Sequence, residues 1–277
     1  MKDITIPEFL YGTAWKEDKT CDLVEKAIQS GFRGIDTACQ RKHYYEKGVG
    51  KGLKKVYEQG IVSRDDLFIQ TKYTYQAGQD HRLPYDPDAS YTIQVRQSIL
   101  KSLENLGTEK IDSFILHGPA QANVISDIDI EVWREMEAIQ SEGLTKHIGV
   151  SNIQIKQLEK LYETALIKPN FVQNHCYAKL NWDLEIRQFC KEKNIIYQGF
   201  SLLTANRAEI NTHKFIEICK KLNKTPAQVV FRFAKQLNML PLTGTTNEEH
   251  MKSDLDIFNF ELAPDTMILI ENICQYL

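Results

Sequence analysis

Residues 32–52, FRGIDTACQRKHYYEKGVGKG, carry the pattern that decides the fold. A short apolar strand, FRGID, ends on Asp36, a loop with two tyrosines follows, and EKGVGKG begins a helical pattern. An open nucleotide-binding sheet is expected to carry G-x-G-x-x-G between its first strand and helix. Neither Gly12 nor the glycines of EKGVGKG have that spacing, and the latter fall inside the helix, where they predict close packing. The stretch therefore favours a barrel over an open sheet.

The same alternation of strand and helix repeats about eight times along the chain. Because no linker or change of composition divides it, we predict a single domain over residues 1–277, an α/β fold of the (β/α)8 TIM barrel type. The predicted strands are FLYGTA (9–14), FRGID (32–36), DLFIQTK (66–72), KIDSFILH (110–117), TKHIGVS (145–151), NFVQN (170–174), NIIYQGFS (194–201) and NMLPLTG (238–244).

Composition excludes several classes of function. The 34 basic and 37 acidic residues give a net charge of −3 without a long block of either sign, so we expect neither nucleic acid nor a membrane surface as a partner. The start of the chain lacks a signal-peptide apolar region, and we expect a cytoplasmic protein. Its six cysteines are scattered without metal-ligand spacing, so no metal site is predicted.

Polar side chains stand at the ends of the predicted strands, where a barrel of this type places its chemistry. A carboxylate (Asp36), an ammonium (Lys72) and an imidazole (His117) end three consecutive strands. An ammonium beside a tyrosine stabilises its phenolate and lowers its pKa, and a paired carboxylate keeps a buried ammonium charged. The set has the components of a site that protonates an oxygen.

These residues resemble the aldo-keto reductase family over nearly the whole chain. GFRGIDTA is similar to the family's G-x-R-x-I-D-T-A, and TK at 71–72, LHGP at 116–119 and GVSN at 149–152 follow in the family's order. The resemblance implies an eight-stranded barrel, a nicotinamide cofactor bound without a Rossmann fold, and reduction of aldehydes or ketones by an Asp, Tyr, Lys and His tetrad. Carried over by position, it assigns Asp36, Lys72 and His117.

The motifs do not assign the tyrosine of the tetrad as directly as the other three residues. The family usually places its tyrosine five residues after the aspartate, and here that position is Arg41. Aligning the helix start EKGVG with the family indicates two extra residues in this chain, which leaves His43 at the family's tyrosine position. We predict Tyr44 as the proton donor, with Tyr45 as second choice. The alternative is His43 as the acid, which would move the acid's pKa towards 6.5.

The resemblance also implies the cofactor contacts. NADPH is expected, with NADH possible, because Leu242 and Thr243 replace the family's lysine-serine pair and His250 stands for its arginine. Asn174 takes the amide-binding place by strict register, with Gln173 as the alternate. The predicted cofactor residues are Gly12, Thr13, Ser151, Asn152, Asn174, Phe200, Ser201, Leu203, Thr243, Gly244, Thr245 and His250.

The expected substrate is a small-molecule carbonyl compound, bound near Trp15, Tyr45 and Gly118. The long segment 73–87 is either a substrate-facing lid or a surface loop packed by its own tyrosines. We expect a monomer or weak homo-oligomer. Two alternatives remain: a catalytically weak barrel that binds nicotinamide as a regulator or sensor, and a lyase or isomerase that uses Lys72 as a Schiff-base amine.

Overall fold

A computed structural model describes residues 6–276, without the side chain of Tyr276. Its strands form a closed parallel barrel in which each strand pairs with the next along the chain and the last pairs with the first. This confirms the predicted fold class. The strands are β1 Leu10–Gly12, β2 Gly34–Asp36, β3 Phe68–Tyr73, β4 Ile111–Leu116, β5 Thr145–Ser151, β6 Phe171–His175, β7 Ile196–Phe200 and β8 Leu240–Thr243.

Helices follow the strands and cover the outside of the barrel. Their starts have chemical causes: Thr225 accepts a hydrogen bond from the backbone N–H of Gln228, and Pro226 occupies the first turn of its helix. The helices are α1 Thr20–Ser30, α2 Glu46–Glu58, α3 Tyr91–Leu106, α4 Asp127–Ser141, α5 Ile155–Thr164, α6 Leu184–Glu192, α7 Arg207–Ile210, α8 His213–Leu222, α9 Pro226–Gln236, α10 Glu248–Leu255 and α11 Pro264–Glu271.

The buried apolar residues form two clusters. The larger one lies between the barrel and the helices. The smaller one fills one end of the barrel interior and includes Phe68 and Phe171, whose rings pack edge to face at 5.8 Å. Because strand side chains alternate, the next inward-facing residues after these two are Gln70 and Gln173. The interior therefore changes from apolar to polar towards the carboxyl ends of the strands.

Among the described residues, no helix has the length and apolar character needed to cross a bilayer.

The glycines of α2 allow two neighbouring helices to approach it closely. A Cβ on Gly50 would lie 2.0 Å from the backbone oxygen of Asn105, at the end of α3. A Cβ on Gly52 would lie 2.7 Å from the backbone oxygen of Cys21 in α1. Both glycines are buried, so their role is packing, as the sequence predicts.

We expect Gly50→Ala to lower the free energy of unfolding by about 1–3 kcal/mol, because the added methyl group must displace the backbone of α3. This loss opposes the helix propensity that alanine would otherwise add. Urea denaturation followed by circular dichroism measures the effect, with Lys51→Ala on the exposed face of α2 as control. Equal stability of the two variants would contradict the packing role.

Candidate active site

Asp36 and Lys72 form an ion pair inside the barrel. Lys72 Nζ lies 2.8 Å from Asp36 Oδ1 and 2.7 Å from Oδ2, and also donates to the backbone oxygen of Thr37 at 2.8 Å. All three N–H groups of the ammonium are therefore used. Burial lowers the pKa of Lys72, and the negative charge of Asp36 opposes that shift.

Tyr44 lies over this ion pair. Lys72 Nζ is 5.1 Å from the centre of the Tyr44 ring, and the His117 ring packs against it edge to face at 5.9 Å. The structure thus brings all four predicted catalytic residues together. The predicted lowering of the tyrosine's pKa is wrong: burial, followed by the charge of Asp36, raises the pKa of Tyr44. The physical reason is that Asp36 neutralises the ammonium, so loss of water around the phenol dominates.

His117 is an uncharged imidazole at neutral pH. Burial, followed by the charges of Lys72 and His43, lowers its pKa to about 3. Its Nδ1 lies 2.6 Å from Thr74 Oγ1, and its backbone oxygen accepts from Asn152 Nδ2 at 2.8 Å. With Nδ1 engaged by Thr74, Nε2 is the ring nitrogen left for a ligand.

The two alternatives to Tyr44 have other neighbours. The His43 ring packs against Trp15 with 4.0 Å between ring centres. Arg41 places its guanidinium 4.5 Å from the centre of the Tyr45 ring, at the start of α2. Neither contact involves Lys72, so the geometry favours Tyr44 as the phenol of the tetrad.

A cavity of about 820 Å³ opens beside the tetrad at the carboxyl ends of the strands. Its size suits a cofactor together with a small substrate. Its wall includes Asp36, Tyr44 and His117 together with these predicted ligand-binding residues: Gly12, Trp15, Ser151, Asn152, Phe200, Ser201, Leu203, Thr243, Gly244, Thr245 and His250.

Four other residues that were predicted to bind the cofactor or substrate, all within the described part of the chain, lie outside that wall. Tyr45 lies against Arg41, as described above. Thr13 is fully buried and donates its hydroxyl to the backbone oxygen of Asp36 at 3.0 Å. Gly118 lies behind the wall, where a side chain would meet Asn152 Cβ at 3.5 Å.

The structure contradicts the prediction that Asn174 binds the amide of the cofactor. Its side chain points away from the barrel interior, where it donates to the backbone oxygen of Ile153 at 2.8 Å and to Asp183 Oδ2 at 3.0 Å. The alternate, Gln173, lines the cavity instead. Adjacent residues of a strand face opposite sides, so the strict-register assignment selects the wrong face.

Segment 73–87 does not contribute to the wall of the cavity within the described chain. Its tyrosines pack on one another: the Tyr73 ring lies 5.3 Å from Tyr75 and 5.7 Å from Tyr85. The segment is tied to the loop that carries Tyr44, because Gly78 accepts from Gln40 Nε2 at 2.6 Å. It is a packed surface loop that supports the tyrosine loop.

A sequence model of the Aldo/keto reductase family matches residues 9–275. The chain belongs to the aldo/keto reductase family. It is therefore an oxidoreductase, as the resemblance of its motifs implies.

Individual relatives agree with this assignment. The chain is 32% identical to the 7-acetyl-epi-neemfruitin B aldo-keto reductase of Melia azedarach, over 99% of this chain and 87% of the relative. It is 31% identical to the glyoxal reductase of Bacillus subtilis (strain 168), over 92% and 83%. An aldo-keto reductase crystallised with NADPH superimposes with a TM-score of 0.82 at 24% identity, over 97% and 84%.

Sequence reasoning missed Lys16 in this aldo-keto reductase. It is the one lysine or arginine among the described residues of the cavity wall. Its Nζ donates to the backbone oxygen of Gly244 at 2.6 Å, and burial lowers its pKa to about 8. Its position directly after Trp15 was the available signal, because neighbouring loop residues often share a site.

Asp254 was also missed. Its carboxylate accepts from Thr243 Oγ1 at 2.7 Å at the same end of the cavity as His250. Burial raises the pKa of Asp254 to about 6 from the ordinary value of 3.8, and the Thr243 hydrogen bond opposes the shift. Between pH 3.8 and about 6 the folded protein holds a proton on Asp254 that the unfolded chain releases. The contribution of Asp254 to the free energy of unfolding therefore falls as the pH rises through this range.

We expect Asp254→Asn to stabilise the aldo-keto reductase at pH 7 by up to about 3 kcal/mol and to have little effect near pH 4, where the wild-type carboxyl is already protonated. Thermal denaturation across this pH range measures the difference. Asp18→Asn, on the exposed surface, is the control and is expected to show no such trend. A gain in stability that does not change with pH would contradict the role of burial at Asp254.

Proposed function

We propose that this protein reduces the carbonyl group of an aldehyde or ketone with NADPH, and that Tyr44 donates the proton. The observation that carries the proposal is the position of the Tyr44 ring between Lys72 and His117 at the wall of a large cavity. A phenol so placed can reach a carbonyl oxygen that His117 also contacts.

The chain's own residues fit a nicotinamide cofactor. Phe200 offers an aromatic surface for the ring. Ser151, Asn152 and Gln173 offer polar groups for the carboxamide, and Lys16 offers a cation for the phosphates. The bound cofactor would supply a hydride to the carbonyl carbon.

The protonation states suit an acid that acts late in the reaction. Tyr44 keeps its proton at neutral pH because its pKa is raised, and His117 is neutral because its pKa is lowered. A neutral imidazole can donate one hydrogen bond to the carbonyl oxygen and orient it. The phenol then transfers its proton as negative charge develops on that oxygen.

Lys72 supports the tetrad without contacting the substrate. It is 1% exposed, and its three N–H groups are bound to Asp36 and Thr37. This geometry opposes the Schiff-base alternative, which needs a free and accessible amine. The proposed location in the cytoplasm and the monomer or weak homo-oligomer stay predictions.

We expect Tyr44→Phe to lower kcat for carbonyl reduction by about 10²–10⁴-fold, because it removes a general acid, while NADPH affinity changes little. Oxidation of NADPH at its reduced-nicotinamide absorbance, with a panel of aliphatic and aromatic aldehydes and ketones, measures kcat. Tyr45→Phe is the matched control and is expected to retain activity. Wild-type protein that binds NADPH but turns over no carbonyl compound would favour the regulator or sensor.

The cofactor phosphates give a second prediction. Lys16 loses its charge as the pH rises through about 8, so we expect the affinity for NADPH to fall over that range by about tenfold. Lys16→Met is expected to bind weakly at every pH. Quenching of tryptophan fluorescence measures affinity, with Lys19→Met as control. The proposal for Lys16 fails if the variant keeps the wild-type pH dependence.

A further inference from the structure

Four polar side chains form a layer across the barrel interior, above its apolar cluster. Asp36 of β2 is the register partner of Gln70 of β3, and Gln173 of β6 is the register partner of Gln198 of β7. In a closed barrel of this strand order, β3 and β7 lie on opposite sides. Two neighbouring pairs therefore face each other across the interior.

Hydrogen bonds join the four side chains. Asp36 Oδ1 accepts from Gln70 Nε2 at 2.7 Å and from Gln173 Nε2 at 3.0 Å. Gln70 and Gln198 exchange reciprocal amide hydrogen bonds of 2.8 and 2.9 Å. Gln198 Oε1 also accepts from Gln173 Nε2 at 2.9 Å. The layer is a connected network.

The network fixes which way each amide points. The Asp36 carboxylate, which pairs with Lys72, accepts hydrogen bonds, so Gln173 turns its amino group towards it. Gln198 Oε1 holds the same amino group from the other side. The carbonyl oxygen of Gln173 is therefore left for a donor in the cavity that this residue lines.

Burial argues that the layer has a use beyond filling space. Gln70 and Gln198 have no exposed surface, and Asp36 is 2% exposed. Withdrawing amides from water is costly unless every group is paired, and apolar side chains fill the layer below without that cost.

We infer that Gln70 and Gln198 are positioning residues that hold Gln173 with its carbonyl oxygen presented to the carboxamide N–H of the cofactor. They act through Gln173 and Asp36 and do not contact the ligand themselves. The inference rests on the proposed function, because it needs a nicotinamide cofactor in this cavity.

A cofactor analogue without the amide donor tests it. In the 3-acetylpyridine analogue of NADP⁺ a methyl group replaces the carboxamide amino group, so the analogue cannot donate to Gln173. We expect wild-type protein to bind NADP⁺ about tenfold more tightly than the analogue. This ratio of dissociation constants is near the largest that the loss of one hydrogen bond produces. Tryptophan fluorescence quenching measures both dissociation constants without turnover.

Gln198→Leu and Gln70→Val are expected to reduce this ratio to about twofold or less. Gln198→Leu removes one of the two acceptors of the Gln173 amino group, and Gln70→Val removes both hydrogen bonds that fix the Gln198 amide, so the Gln173 amide is held less firmly. Gln157→Leu removes a buried glutamine of α5 outside the cavity wall and is the matched control; it should retain the wild-type ratio. Circular dichroism verifies that each variant is folded. A loss of stability alone weakens both ligands equally and does not change the ratio.

Two results would overturn the inference: folded Gln198→Leu and Gln70→Val proteins that keep the wild-type ratio, or wild-type protein that binds NADP⁺ and the analogue equally. Failure of the proposed function has a different signature, in which wild-type protein binds neither ligand.

Discussion

The buried ion pair between Asp36 and Lys72 is the constraint to which the rest of the site is fitted. Removing both charges from water costs free energy that their mutual attraction offsets only when further hydrogen bonds complete each group. Thr37 supplies an acceptor for the ammonium, and Gln70 and Gln173 supply donors for the carboxylate. The polar layer of the barrel is therefore one unit, and Tyr44 lies above it.

Backbone hydrogen bonds close the loop that carries Tyr44 into a turn. The backbone N–H groups of His43 and Tyr44 both bond to the backbone oxygen of Gln40, which closes a turn over the additional length. The Gln40 side chain then ties this turn to Gly78 in the neighbouring loop. These contacts hold the loop in the conformation that places the Tyr44 ring 5.1 Å from Lys72 Nζ.

The barrel and the strand-end residues of the tetrad were predictable because strand periodicity and chain order determine which side chains gather at one end of a parallel barrel. Other features were not predictable from local pattern. Strand β6 is covered on both faces, so Gln173 and Asn174 both occupy buried positions. They differ only in that Gln173 lies on the same face of the strand as Phe171, which belongs to the interior cluster. The pKa of Tyr44 depends on burial and on neutralisation of Lys72 by Asp36, both of which are three-dimensional properties.

The two pKa shifts at the ligand-facing residues have a common consequence. A phenol whose pKa is raised and an imidazole whose pKa is lowered both stay neutral over a wide pH range, so the charges of the tetrad are confined to the Asp36–Lys72 pair. The tetrad thus has no net charge before the reaction. In the proposed reaction, the phenolate left when Tyr44 gives up its proton would lie beside an ammonium that is already in place, and the field of Lys72 would stabilise it at that stage. In that proposed reaction, the role that the sequence analysis gave Lys72 in the resting protein would belong to the transition state, where stabilisation raises the rate.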